Sequence, residues 1–372
     1  MTANRMMDPA TYGPEWDDWH WQFAHRYQTV DDLQAVLPLT EGQKHDIDTC
    51  LRSFRMAVTP YYASLIDVDD PDDPIRMQCI PSIRETWPCA TDLSDPLGEV
   101  RDSPVAQLVH RYPDRVLLLS TLQCSMYCRH CTRRRVVGET DMPISEPVLA
   151  AALDYIRRHT EIRDVLISGG DPLTMSDERL EHIISSLRAI EHVDIIRIGT
   201  RVPVVMPMRI TPQLCAMLKK YHPLWINTHF NHPNELTPQA ARACAMLADA
   251  GIPLGNQSVL LKGINDDAET MKRLVLGLVH IRVRPYYLYQ CDLSRGIGHF
   301  RTDVRTGVDI VHGLQGFVSG FAVPKFVIDA PGGGGKVPVN YPYVHSIDDR
   351  QVVMENYCGK IYTYPQPPKD GD

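Results

Sequence analysis

Three cysteines stand within eight residues: Cys124, Cys128 and Cys131, spaced C-x3-C-x2-C directly after the apolar run RVLLLS (115–120). Thiolates that close can converge from one loop onto a single soft metal centre. A structural zinc ordinarily takes four protein ligands, and no second cysteine or Cys/His cluster offers the fourth. His130 lies between two of the cysteines and could ligate zinc, but its adjacency to Cys131 makes that geometry awkward. Three thiolates on a [4Fe–4S] cube, by contrast, leave one iron open to a non-protein ligand. The competing reading is a zinc knuckle or unligated buried thiols. The other seven cysteines are scattered singly and read as small buried hydrophobes.

Other residues could do chemistry beside such a centre. Gly169-Gly170-Asp171-Pro172 follows the run DVLISG (164–169). Two glycines let backbone approach a ligand closely, and Asp171 offers an anionic acceptor; an ordinary turn with an aspartate helix cap reads equally simply. Thr200, Arg201, His229 and Gln257 stand at the ends of later runs, where they serve the same ligand or make structural hydrogen bonds. Four glycines, 332–335, precede Lys336. Val337 excludes a P-loop, which needs Ser or Thr after the lysine. A lysine on a glycine loop could form and release a Schiff base with an aldehyde cofactor, or simply be solvated. Arg111 and Arg115 suit phosphate oxygens, although an isolated arginine pair more often sits on a solvated face. The run RRR at 133–135 reads as a surface run, and Asp292 or Asp329 alone as a cap or an ion-pair partner.

Elements must carry these residues. From about residue 115, β-branched or aliphatic runs alternate with amphipathic stretches, as in DVLISG followed by SDERLEHIISSLRAI. Six such units predict an α/β fold with parallel strands: a partial (β/α)6 barrel, with a doubly wound sheet as the alternative. Its site would gather at the C-terminal strand ends. Residues 1–110 read as a helical N-terminal accessory region, 111–328 as the barrel, and 329–372 as a C-terminal segment carrying Lys336. One helix is predicted over 30–37, and DVDDPDDP (67–74) as an acidic loop.

The 372 residues carry a net charge of −8 and 44% hydrophobic residues. The balance suits an ordinary globular chain and argues against nucleic-acid or membrane-surface binding. No apolar run approaches the roughly 20 residues that span a bilayer. The opening residues lack an apolar signal core, so a cytoplasmic location is expected, where disulfides are not.

The motifs together resemble a known family. CSMYCRHCTRRR (124–135), SGGDPL (168–173), NTHFNHPNE (227–235), YYLYQCDLSRGIGHFRT (286–302) and DAPGGGGKVPV (329–339) are similar to the lysine 2,3-aminomutases among the radical S-adenosylmethionine (SAM) enzymes. The similarity runs from about Trp16 to Tyr364 and takes in WDDWHWQFAHR. It implies a [4Fe–4S] cluster on Cys124, Cys128 and Cys131, SAM beside Gly169, Gly170, Asp171 and Gln257, and pyridoxal 5′-phosphate (PLP) on Lys336. Arg111 and Arg115 would hold the PLP phosphate, with Tyr112 and Tyr289 near its ring. Arg133 would bind the substrate carboxylate, and Asp292 with Asp329 the cationic end of its side chain. Glutamate-specific relatives replace acidic residues there, so both aspartates imply a basic substrate.

The implied reaction moves the amino group of an L-α-amino acid from C2 to C3. A reduced cluster cleaves SAM reversibly, and an external donor of the flavodoxin or ferredoxin type supplies the electron. L-Lysine is favoured over L-arginine. A further enzyme reading is modification of a lysine on a translation factor, against which the full N-terminal region and CDLSRGIGHFRT argue. The rival class is a non-enzymatic iron–sulfur or zinc-binding regulator. A homo-oligomer is expected, but clostridial-type members hold a zinc between subunits with C-terminal cysteines. Only Cys358 remains here, and Asn265-Asp266-Asp267 stands where the family's other zinc cysteine falls, so no zinc is expected.

Overall fold

The computed structural model describes residues 13–138 and 142–367. Residues 1–12, where a signal core would begin, and the last five of the C-terminal segment lie outside the described residues.

Nine strands form one sheet in simple sequence order. They are β1 (Leu108–Tyr112), β2 (Arg115–Thr121), β3 (Asp164–Gly169), β4 (Ile195–Gly199), β5 (Leu224–Thr228), β6 (Leu254–Leu260), β7 (Arg284–Gln290), β8 (Lys325–Ala330) and β9 (Gly335–Pro338). Strands β2 to β8 run parallel, while β1 and β9 are antiparallel additions at the two edges. Helices Glu146–Arg158, Asp177–Arg188, Pro212–Lys219, Pro238–Asp249, Ala268–His280 and Val304–Leu314 each fall between successive parallel strands. This is the expected partial (β/α)6 barrel, extended by a seventh parallel strand. Neighbours are consecutive throughout, so the strand-order reversal of a doubly wound sheet is absent among the described residues. The edge strands do not pair with each other, leaving the barrel open.

Local sequence explains these elements. Leu180, Ile183, Ile184 and Leu187 bury one face of Asp177–Arg188 at helical spacing. Thr-Pro pairs open two of the helices: Thr211 and Thr237 accept from the backbone as caps, and the following prolines sit where no N–H is needed.

The N-terminal region holds short helices broken by prolines, and the helix expected through 30–37 is shorter than read. The helix there spans only Val30–Gln34, and a second, Glu41–Leu51, begins after Pro38. Thr40 and Gln43 form a reciprocal capping box that starts the second helix afresh. One apolar cluster runs from Trp16, Tyr61 and Tyr62 through the strands to Phe326. Strands β1 and β8 run across the expected boundaries after residues 110 and 328.

Beyond β9, Val344–Ile347, Gln351–Glu355 and Ile361–Pro365 form a separate antiparallel sheet with largely exposed side chains. All ten cysteines are free. Five of the seven scattered ones are buried as expected, but Cys89 is half-buried and Cys358 exposed. Cys358 lies in the turn between two strands of this outlying sheet, away from the core. No helix of the described residues is long and apolar enough to cross a membrane.

Candidate active site

The cysteine loop leaves β2 and is clamped by the end of β3. The backbone N–H of Gly170 donates to Thr121 O at 2.6 Å, and that of Asp171 to Gln123 O at 2.8 Å. A Cβ at Gly169 would stand 2.3 Å from Thr121 O, and one at Gly170 only 2.2 Å from Gln123 O. In the structure these glycines permit the close approach of the root of the cysteine loop. Asp171 accepts from Thr200 Oγ1 at 2.6 Å, Arg201 N at 2.7 Å and Leu173 N at 3.1 Å. Both its oxygens are engaged: it caps Pro172–Thr174 and ties the end of β3 to that of β4.

Burial, together with the charges of Asp171 and of the two other cysteines, holds the Cys124 thiol well above its usual range. Burial and Cys128 push Cys131 up to about 11. The three thiols thus lie within one another's field, although no three His, Cys, Asp or Glu side chains among the described residues close into a metal cage. Arg201 Nη1 donates to Cys128 Sγ at 2.8 Å. Its Nη2 donates to Glu235 Oε1 at 2.8 Å and Gln78 Oε1 at 2.5 Å, so the N-terminal region, β4 and the segment after β5 meet at one guanidinium. His130 and His229 stack, with their Nε2 atoms 3.0 Å apart. Burial first, then Arg201, lowers His229 to about 3, while the Gln257 backbone hydrogen-bonds its ring.

A second group forms where the edge strands meet. Lys336 on β9 pairs in register with Asp329 on β8, and Lys336 Nζ lies 3.2 Å from Asp329 Oδ1. The backbone N–H of Lys336 donates to Tyr112 Oη at 2.9 Å, bridging β9 to β1. Lys336 Nζ sits 5.3 Å from the centre of the Tyr289 ring. The Arg115 guanidinium covers the Tyr112 ring at 3.9 Å, and Arg111 is anchored by Asp102 at 2.9 Å and by Leu97 O.

The triple arginine is not a surface run. Arg133 pairs with Glu99 at 2.7 Å, Arg135 reaches Asp95 and Glu99, and Arg134 joins Arg129 on the fully buried Glu85. The reason is simple: buried carboxylates draw the cations inward. Asp292 and Asp329 line one cavity of about 240 Å³. Burial, reinforced by Asp329, pushes Asp292 up to about 7, against the opposing pull of Lys336 and Arg133. Two carboxylates therefore share too little positive charge.

Sequence reading missed Glu85, Glu99, Glu235, Gln78 and Tyr62. Glu235 stood inside NTHFNHPNE, and three adjacent arginines signalled a need for counter-charges. Nothing local marked Gln78 or Tyr62.

Residues 118–275 match the family model described as the Radical SAM superfamily, and residues 311–371 that described as Lysine-2,3-aminomutase. The L-lysine 2,3-aminomutase of Acetoanaerobium sticklandii is 59% identical over 353 residues, covering 95% of this chain and 85% of the relative. That of Clostridium subterminale is 58% identical with the same coverage. The chain belongs to the lysine 2,3-aminomutase family of radical SAM enzymes. The glutamate 2,3-aminomutase of Clostridioides difficile is a more distant member, at 46% over 354 residues, with 95% of this chain and 84% of the relative covered.

Family membership makes the protein an enzyme, an isomerase, whose cofactors are a [4Fe–4S] cluster, SAM and PLP. The residues present fit these groups. Three soft thiols whose charges repel one another in a buried loop suit a cationic iron core. Near them Ser125 Oγ, His130 Nδ1 and Arg201 Nε are buried without a hydrogen-bond partner, as a site for a polar ligand would leave them. Gly335, at φ +84°, would bring a Cβ within 3.1 Å of Tyr112 Oη, so glycine suits the close approach of β9 to Tyr112 next to Lys336.

Proposed function

We propose that this enzyme converts L-lysine to β-lysine by moving the amino group from C2 to C3. The observation that carries the substrate is the pair of buried carboxylates, Asp292 and Asp329, in one cavity beside Lys336. An anionic side chain would be repelled there, whereas a cation relieves the mutual repulsion of the two acids. The high identity to proteins named L-lysine 2,3-aminomutase supports lysine over arginine, the second basic substrate.

When bound, cluster, SAM and PLP supply one-electron chemistry at carbon and a carrier for the migrating nitrogen. The chain's own residues do the rest. Cys124, Cys128 and Cys131 would hold the iron, and Arg201 Nη1 donates to the Cys128 sulfur. Lys336 would hold PLP, with Arg111 and Arg115 available to its phosphate and Tyr112 and Tyr289 to its ring. Asp329, 3.2 Å from Lys336 Nζ, holds that ammonium in the free protein. Arg133 turns one edge to Glu99 and keeps Nη1 for the substrate carboxylate. Gly169, Gly170 and Asp171 hold the cysteine loop against the strand ends, with Gln257 nearby on β6 where SAM would lie.

The reading extends to partners. An external electron donor of the flavodoxin or ferredoxin type reduces the cluster, and the protein works in the cytoplasm. A homo-oligomer is supported by exposed apolar side chains on the C-terminal sheet, among them Ile347, Ile361 and Tyr364.

The test is anaerobic turnover of reconstituted protein with reductant, SAM and PLP. L-Lysine and L-arginine are offered separately, and products are separated by chromatography and weighed by mass spectrometry. β-Lysine is expected from the first tube. β-Arginine alone would overturn the substrate, and no β-amino acid from either tube, with the cluster confirmed, would overturn the reaction. Lys336→Ala is expected to lose both turnover and the borohydride-sensitive visible band of bound PLP.

A further inference from the structure

Two arginines with separate duties are held by one short strap of chain. Residues 95–103 lie in no helix or strand, and they run from the N-terminal region against the glycine loop. Asp95 starts the turn by accepting from the backbone N–H of Glu99 at 3.1 Å and of Val100 at 2.9 Å. The Asp102 N–H then donates to Gly98 O at 3.1 Å. Glu99 and Asp102 thus stand three residues apart on one turn, and each takes an arginine. Glu99 Oε1 accepts from Arg133 Nε at 2.8 Å and lies 2.7 Å from its Nη2. Asp102 Oδ2 accepts from Arg111 Nε at 2.9 Å, while Arg111 Nη2 donates to Leu97 O.

The two grips are alike. In each, the strap takes the Nε and Nη2 edge of a planar guanidinium, which fixes the direction of Nη1 as well. Neither Nη1 makes a hydrogen bond among the described residues, and neither is one of the sealed, unpaired nitrogens of the interior. The Arg133 and Arg111 side chains stay 20% and 14% exposed. A free, reachable N–H on a held guanidinium is ready for an anion. The strap also meets the loop that carries Lys336. The Gly332 N–H donates to Pro96 O at 3.0 Å, and a Cβ on Gly98, at φ +65°, would stand 3.1 Å from Gly332 O.

We propose that the strap 95–103 is a positioning element for both anions of the reaction: Glu99 aims Arg133 at the substrate carboxylate, and Asp102 aims Arg111 at the PLP phosphate. This rests on the reading of lysine and PLP above and adds the two residues that hold its arginines. Both act through another side chain.

Glu99→Gln and Asp102→Asn keep the shape and remove the charge. Each variant is loaded with iron and assayed for bound PLP after ultrafiltration, then for the lysine KM with SAM and reductant. Asp102→Asn is expected to weaken PLP roughly tenfold, the scale of one hydrogen bond to a charged group. Pyridoxal, which lacks the phosphate, should bind that variant as before. Glu99→Gln is expected to raise the lysine KM by a similar factor and to leave PLP binding alone. Inhibition by 1,5-diaminopentane, which lacks the carboxylate, should hold or tighten, because losing Glu99 also eases the ionisation of Asp292. Equal weakening of each ligand and its control, with lowered thermal stability, would mean that the strap only supports the fold, and would overturn the proposal. So would unchanged PLP binding and KM, or a lysine KM that falls, since Glu99 would then compete with the substrate for Arg133. Should Glu99→Gln fail to fold, Glu99→Asp keeps the charge, shortens the reach and gives the same readout. Lysine turnover by the unsubstituted enzyme keeps the substrate reading standing whichever way the variants fall. Turnover of arginine alone would remove that reading and leave the PLP measurement to decide on Asp102.

Discussion

Asp292 illustrates how a single side chain reports the ligand it awaits. Burial first and Asp329 second raise its pKa to about 7, and the nearby Lys336 and Arg133 do not fully offset them. The sign follows directly. The unfolded carboxyl titrates near 4, so the stability contributed by protonating Asp292 in the folded protein is fully present below about pH 4 and lost as pH rises through about 7. A cationic substrate needs the ionised form. The lysine KM is therefore expected to rise as pH falls below about 7 while kcat changes less, and Asp292→Asn should remove that inflection. The same variant should raise KM by roughly 30-fold or more at neutral pH, since removing one partner of a buried charge pair costs about 2–5 kcal/mol. Steady-state kinetics across the pH range check both. The motif around Asp292 was legible in the sequence. Its shifted titration was not, because it depends on Asp329, Lys336, Arg133 and Glu99, which the fold alone assembles.

Between elements, the critical contact is the one between the end of β3 and the loop leaving β2. Gly170 donates to Thr121 O, and its missing Cβ makes room for the Gln123 backbone. Backbone cannot swing aside as a flexible side chain can. Gly170→Ala is accordingly expected to destabilise the fold by about 1–3 kcal/mol and to shift the cysteine loop. Thermal unfolding measures the first, and iron content after reconstitution the second; a variant with full iron and unchanged stability would contradict the contact. The glycine pair was plain in the sequence. What packed against it was not, since a glycine announces close approach without naming what approaches. Asp171 shows the same limit, because its local signature as a cap and its cross-strand bonds to Thr200 and Arg201 are compatible.

Across the molecule, buried ion pairs join the N-terminal region to the barrel. Glu85, from the accessory region, accepts from both Arg129 and Arg134 of the cysteine segment. Glu85→Gln leaves those cations short of a counter-charge, at an expected cost of about 3–5 kcal/mol read from denaturant unfolding. Such a loss would make the accessory region part of one cooperative unit with the barrel, as the shared apolar cluster already suggests. At the other end of the chain, the C-terminal sheet exposes Ile347 at 69% and Ile361 at 52%, together with Val344, Tyr362 and Tyr364, and several exposed apolar side chains on one small sheet point to an association surface. Sedimentation is expected to show more than one chain per particle, and Ile347→Asp with Ile361→Asp to lower that number.

The strand and helix alternation, the cysteine spacing, the lysine after its glycines and the paired aspartates were all legible in the chain's local patterns. Each is a local pattern: periodicity follows from backbone geometry, and ligand spacing from what one loop can reach. Tertiary structure alone decided what surrounds them. Tyr62 bonds Glu235 across 173 residues, Arg201 meets Gln78 across 123, and Lys336 reaches Tyr112 across 224. None of these pairs leaves a trace in its own neighbourhood, because a glutamate, a glutamine or a tyrosine reads the same in sequence whether it faces water or a buried guanidinium. Closing seven parallel strands into an open barrel brings such residues together, and the burial that follows gives each its charge, its partner and its part in the site.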